Sequence, residues 1–295
     1  MQLTKIMPVL GLLAGASVWG LIWYPYRALE HAGISGELAA TVTYAGALAL
    51  GAVLFRRELG RGRMSWLLAG IGLSAGWANI GFTIAVVYGD VMRVVMLFYM
   101  APLWTVLFAR LLLGEQLVAA GYCLMAFACA GAIVMLWQPR MGWPLPRSAA
   151  EWLGMSAGLA FALSNVLARR ADAIGIPLKV LAVFAGGGII GSICLLFSKP
   201  DIAALTPSLA SVMLLLLLAV VLLSVNVAVQ HSLVQLSASR AIVIYLFELV
   251  VTAVSAWLLA GEVLTAQEWC GGAMIVAAGL LSGRIATVPR VKSAA

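Results

Sequence analysis

The chain has 295 residues, 64% of them hydrophobic and 10% charged, with a formal net charge of +7. A soluble globule carries roughly 25% charged residues, so this composition excludes one. The positive balance does not mark a nucleic-acid partner either, because the basic residues sit at the ends of apolar runs and alternate in density from loop to loop.

Ten apolar segments of spanning length are predicted, at 6–26, 37–55, 64–88, 91–113, 117–137, 150–168, 177–197, 209–230, 238–260 and 267–284. Each is close to the ~20 residues that cross a bilayer as a helix, and together they leave no room for an extramembrane domain. With the N-terminus inside, Lys5, Arg56, Arg57, Arg61, Arg63, Arg110, Arg169, Arg170, Lys179, Arg240, Arg284, Arg290 and Lys292 face the cytoplasm, and only Arg27, Arg93, Arg140, Arg147 and Lys199 lie outside. That bias predicts that both termini are cytoplasmic. Cys123, Cys129, Cys194 and Cys270 lie inside apolar segments without metal-ligand spacing and read as packing residues. The first segment is too long for a signal peptide, and aromatic residues stand where a cleavage site should be.

In segment one, Gly11 and Gly15 share a helix face, which would let another helix approach closely. Trp19, Trp23 and Tyr26 form an aromatic stripe toward its outer end, fit either for an interfacial belt or for lining a substrate path. Segment two says little, but the loop after it holds four arginines, the strongest cytoplasmic marker in the chain. Segment three carries Asn79, Phe82 and Thr83 on one face, and Asn79 either bonds a neighbouring helix or serves a site. Segment four contains Arg93, Phe98, Tyr99 and Pro102. Pro102 removes a backbone hydrogen bond and frees carbonyls near Phe98, making either a hinge or a packing kink.

The stretch from Gln138 to Glu151, with Pro139, Pro144 and Pro146, is the longest polar break and falls near mid-chain. Across it the sequence repeats at an offset of 147: Asn79 falls on Asn226, Arg93 on Arg240, Gly114 on Gly261 and Glu115 on Glu262. Five helices per copy is an odd number, so the second copy must start from the opposite side of the membrane. The expected fold is therefore all-α and integral to the membrane, ten transmembrane helices as two inverted five-helix repeats with a site between them. The expected boundaries are 1–137 for the first repeat, 138–150 for a periplasmic linker, 151–285 for the second repeat and 286–295 for a cytoplasmic tail. The Gly-Glu pairs read as a helix stop followed by a negative charge at the next helix start, and Arg93 and Arg240 as interfacial anchors.

In the second copy, segment six holds Gly154, Gly158, Phe161, Ser164 and Asn165, the last deep enough to need a partner. Segment seven has Gly186, Gly187, Gly188 and Gly191 for close packing or a bend. Segment eight places Asn226 and Gln230 four apart, with His231 as either an interfacial residue or a proton carrier. In segment nine Tyr245, Glu248, Thr252 and Ser255 make one polar stripe on an apolar helix. A carboxylate at that depth costs several kcal/mol unless paired, hydrated or protonated. Glu248 is thus a candidate for a cavity-facing role, the alternative being a buried hydrogen bond to a neighbour.

The ten segments, the paired repeat and the Gly-Glu ending the fourth helix of each copy resemble the EamA type of the drug/metabolite transporter superfamily, over nearly all of residues 6–285. Within it the chain looks closest to the YddG-type aromatic amino acid exporters of bacterial inner membranes. The resemblance implies a central cavity among helices three, four, eight and nine with one and six, and export by rocking of the two halves. Asn79, Tyr99, Asn226, Tyr245 and Glu248 carry over by position. Leu249 stands in the second copy where the first has Pro102, so a hinge need not be symmetric.

The reading is an inner-membrane exporter of aromatic and other amino acids, with membrane lipid as its surroundings, no nucleic-acid partner, no cofactor, and an oligomeric state left open, a monomer included. The expected substrate site is Trp19, Trp23, Asn79, Phe82, Phe98, Tyr99, Asn165, Asn226, Gln230, Tyr245 and Glu248, with Pro102 as hinge. Rival readings are export of another metabolite or a lipophilic drug, a passive channel, and an intramembrane enzyme, which finds no metal cluster and no Ser/His constellation to support it.

Overall fold

The computed structural model describes residues 3–61, 65–89, 91–137, 145–198, 207–261, 263–282 and 287–289. Residues 138–144 of the expected linker, most of the expected tail, Glu262, and the flanking Arg63, Arg140, Lys199, Arg284, Arg290 and Lys292 lie outside them. Eight helical stretches among the described residues are long and apolar enough to cross a membrane: Ile6–His31, Gly36–Leu54, Trp66–Val86, Arg93–Leu113, Ala119–Leu136, Ile176–Phe197, Leu209–Gln235 and Ala238–Leu259. Two further helices of the expected ten, Ala149–Arg170 and Ala266–Leu281, are packed among them but are not in that group. One carries Glu151, Arg169 and Arg170, and the other is only 16 residues long.

In chain order the helices are α1 (Leu3–Leu21), α2 (Trp23–His31), α3 (Gly36–Leu54), α4 (Arg56–Arg61), α5 (Trp66–Tyr88), α6 (Val91–Phe98), α7 (Ala101–Phe108), α8 (Ala119–Leu136), α9 (Ala149–Arg170), α10 (Ile176–Ser198), α11 (Leu209–Gln235), α12 (Ala238–Tyr245), α13 (Phe247–Ala260) and α14 (Ala266–Leu281). Several begin on a hydroxyl cap: Ser65, Ser148, Ser208 and Ser237 each accept from a backbone N–H three residues on, and Thr265 forms a reciprocal capping box with Glu268. At membrane depth an unpaired N–H has no water to turn to, so a cap in the sequence settles where a helix can start.

Gly114 and Gly261 end the fourth and ninth of the expected spans, here α6–α7 and α12–α13, with φ of 69° and 70°, the left-handed conformation that closes a helix at small cost only for glycine. Before Gly114 the chain widens into a π-helical turn at Ala109–Leu113. After it, β1 (Glu115–Leu117) pairs antiparallel with β2 (Thr287–Pro289), tying the end of the chain to its middle. Glu115 does not start the next helix: its carboxylate accepts from Arg169 at 2.8 Å.

Two helices break midway, at the same place in each copy. The fourth breaks at Tyr99 and Met100, with Pro102 in the first turn after the break. The ninth breaks at Leu246, the position equivalent to Tyr99, with no proline nearby. The two breaks are not identical: the first spans two residues and the second one, where Leu246 and Leu249 are both buried and the Leu249 N–H donates to the Leu246 carbonyl at 3.1 Å.

The first helix of each copy packs on the third and fourth helices of the other. Gly11 abuts Ser232 and Ala228 on α11, Gly15 meets Val229, and Gly20 lies against the Glu248 carbonyl and Val251 on α13. Trp23 Nε1 donates to Ser255 Oγ at 2.9 Å, and Ser255 donates to the Gly20 carbonyl. In the other group, Gly154 lies on Val94 and Gly158 on the Phe98 backbone, and Trp77 Nε1 donates to Ser156 Oγ at 3.1 Å. Arg93 bonds Glu151 at 2.9 Å with both side chains buried, so Arg93 is a buried clamp between α6 and α9 rather than an interfacial anchor. The molecule is thus two interleaved groups, α5–α6–α7–α9 and α1–α11–α12–α13. Around them α3 and α10 pack together, with Gly187 against the Tyr44 ring and Gly191 against Thr41, and α8 packs on α14 through Gly131 and Gly271.

Candidate functional site

Between the two groups lies a cavity of about 410 Å³, within the range of small-molecule sites. It opens where α2 turns into α3, with the exposed Arg27 and Glu30 at its mouth. At the other end the space between the helices is filled by Leu12, Ile71, Leu167, Ala168, Leu233 and Ile242. There Arg169 donates to Glu115 and to the Val234 carbonyl at 2.7 Å, and Arg170 donates to the Leu112 carbonyl. The last turn of α9 is thereby fastened to the end of the fourth helix and to the end of α11.

Of the residues expected at the site, Trp19, Trp23, Asn79, Phe82, Phe98, Asn165, Asn226, Gln230, Tyr245 and Glu248 line this one cavity. Tyr99 does not. Its ring stands edge-on to Phe98 at 5.5 Å and lines a small apolar pocket with Met96, Cys129 and Trp137. Helical geometry explains the difference: Tyr99 follows Phe98 directly and so stands ~100° around the helix from the side chain that faces the cavity.

Glu248 sits in the first turn of α13, immediately after the break at Leu246. Each freed N–H at a helix start carries partial positive charge, which favours a carboxylate there. The polar stripe foreseen on this helix divides between two tasks. Thr252 and Ser255 turn back to backbone carbonyls and to Trp23, while Tyr245 and Glu248 face the cavity. Ser255 is seven residues beyond Glu248, so at 1.5 Å rise per residue the Trp23 indole lies ~10 Å nearer the mouth than the carboxylate.

Aromatic rings form a continuous chain along the cavity that Glu248 also lines: Phe82 to Phe98 at 4.7 Å, Phe98 to Phe161 at 5.6 Å, and Phe161 to Tyr245 at 5.4 Å between centroids. The remaining polar lining is mostly amide. Asn79 Nδ2 is spent on the Ala75 carbonyl, whereas Asn165 Nδ2, Asn226 Oδ1 and Gln230 Oε1 have no protein partner. Buried amide atoms without partners cost ~1–3 kcal/mol each, a cost reduced when water or a ligand supplies the bond. His231 is exposed and bonds Gln235 on its own helix, away from this lining. Tyr26 of the aromatic stripe also lines the cavity, and so do Tyr44, Phe161 and Ser164, which were not assigned to it. Phe161 was within reach of sequence reasoning, since it lies four residues before Asn165 on the same helix face. Tyr44, in an otherwise featureless helix, gave no signal.

The model of the EamA-like transporter family matches residues 6–137 and again 148–284. Among solved structures, one described only as "Crystal structure of protein" superposes with a TM-score of 0.72, covering 94% of this chain and 96% of its own at 16% identity. At that identity the likeness concerns the fold. No curated protein matches.

Proposed function

The chain belongs to the EamA-like transporter family, and from that premise we propose that it exports amino acids, aromatic ones among them, across the bacterial inner membrane in the manner of the YddG-type exporters. It is a multi-pass membrane transporter of the drug/metabolite superfamily and, like its family, not an enzyme. The observation that carries the substrate class is the composition of the cavity: rings that accept varied side chains by area burial, amides with spare bonding capacity, and a single deep carboxylate as partner for an ammonium. In this reading α9 and α14 also cross the membrane, the repeats are inverted, and both termini are cytoplasmic, which the bias of Lys and Arg supports.

Alternating access in this proposal is the rocking of α5–α6–α7–α9 against α1–α11–α12–α13 about the breaks at Tyr99 and Leu246, with Pro102 shaping the first. The bond from Arg93 to Glu151 stays within a group, and that from Trp23 to Ser255 ties the start of α2 to α13, so both survive the motion. Arg169 to the Val234 carbonyl crosses between the groups and must break when the closed end opens. The test is counterflow: purified protein in liposomes loaded with unlabelled phenylalanine should accumulate labelled phenylalanine saturably, with other amino acids competing. Non-saturable flux would make it a channel. No accumulation above protein-free liposomes, in protein shown to be folded, would overturn the amino acid assignment.

A further inference from the structure

Resting on that reading of the cavity, we infer that the site recognises the positively charged amino group alone, so that amines and amino-acid amides on an apolar body are cargo as well as amino acids. Among the described residues, the Asp, Glu, Lys, Arg and His side chains lining the cavity are Glu248, Arg27 and Glu30. Arg27 is one helical turn beyond Trp23 on α2, with its guanidinium 4.8 Å from the Trp23 ring. Trp23 itself stands ~10 Å nearer the mouth than Glu248 by helical rise. The ammonium and carboxylate of an α-amino acid hang from one carbon. A molecule whose ammonium meets Glu248 therefore cannot also reach Arg27, and its carboxylate finds neutral amides at most.

The surroundings of Glu248 repeat the preference. Ring faces carry negative potential and attract a cation while repelling an anion, and the rings of Phe82, Phe98, Phe161 and Tyr245 follow one another along the cavity that Glu248 also lines. A carboxylate-only molecule would face Glu248 and this ring chain with no buried cation in the lining to offset either. The carboxylate of an amino acid is thus tolerated rather than read.

The experiment uses the full chain in liposomes, with phenylalanine counterflow as readout and four competitors. Phenylalaninamide and phenethylamine keep the ammonium and lack the carboxylate; N-acetylphenylalanine and 3-phenylpropionate do the reverse. The expected result is that the two amines compete within about threefold of unlabelled phenylalanine while the two carboxylates need at least about tenfold more, a gap of one decade in apparent affinity. Carboxylates competing as well as the amines, or amines failing where phenylalanine competes, overturn the inference and leave amino acid export standing. Thermal unfolding in detergent separates the two readings. Phenylalaninamide raising the midpoint where N-acetylphenylalanine does not, in protein that fails to move phenylalanine, sinks the amino acid reading and keeps amine recognition. No shift with either compound and no counterflow sink both.

Discussion

Arg93 and Glu151 form a buried ion pair whose removal should be costly from one side and much less so from both. Arg93 Nη2 lies 2.9 Å from Glu151 Oε2 and 2.9 Å from the Leu145 carbonyl, and Arg147 N–H donates to the same Oε2 at 2.9 Å. The side chains are 9% and 8% exposed. Removing one member of a buried pair leaves an uncompensated charge and typically costs ~3–5 kcal/mol, whereas replacing both by apolar residues of similar volume is often close to neutral. At about 2–4 °C per kcal/mol for a chain of this size, Arg93→Met or Glu151→Met should each lower the unfolding midpoint by roughly 6–20 °C. The double variant should recover half or more of that loss. The assay is thermal unfolding in detergent followed by tryptophan fluorescence, for the four proteins of the cycle. Single variants within ~2 °C of the parent would show that water already solvates the pair. A double variant as impaired as the sum of the singles would show no coupling at all, and either result refutes the clamp.

Glu248→Gln keeps the shape of the side chain and removes its charge, so counterflow should fall at least tenfold, the equivalent of ~1.4 kcal/mol, while the unfolding midpoint stays close to that of the parent; unchanged transport would take Glu248 out of the site. Gly158→Ala drives a Cβ into the Phe98 carbonyl at the break of the fourth helix, an overpacking expected to cost ~1–3 kcal/mol, read as a lower midpoint and poorer yield. A variant as stable as the parent would mean that α9 and the fourth helix can separate freely. Arg169→Ala cuts the bonds to Glu115 and the Val234 carbonyl. A cysteine placed at Leu12, in a background lacking the four native cysteines, should then react several-fold faster with a thiol reagent added from the N-terminal side, and an unchanged rate would deny Arg169 any part in holding that end shut.

Much of the site was legible because helical spacing is a local property. Tyr245 to Glu248, and Asn226 to Gln230, share faces by counting alone, and the offset of 147 brought Asn79 and Asn226 to matching places. The glycine stops were legible for the same reason, since Gly114 and Gly261 answer a purely local need for positive φ. What escaped was set by partners distant in sequence. Arg93 reads as an anchor until Glu151, 58 residues on, closes over it. Glu115 reads as a helix cap until Arg169 takes its carboxylate. The break at Leu246 has no proline to announce it, because packing around Leu246 and Leu249 holds it. Tyr99, by contrast, was legible by counting: as the residue after Phe98 it stands ~100° around the helix from the cavity face.

The exchange of first helices between the two copies also bears on how the chain is made. Helix α1 is synthesised well before its partners: Gly11, Gly15 and Gly20 fit against residues of α11 and α13 that follow 214–231 positions later, ~11–46 s at ordinary rates of synthesis. Through that interval α1 must rest in lipid with its small-residue face uncovered, stable as a lone helix because its backbone bonds are internal. Assembly is therefore a late event, in which elements already inserted find one another, and a chain truncated before α11 should insert normally and still never close.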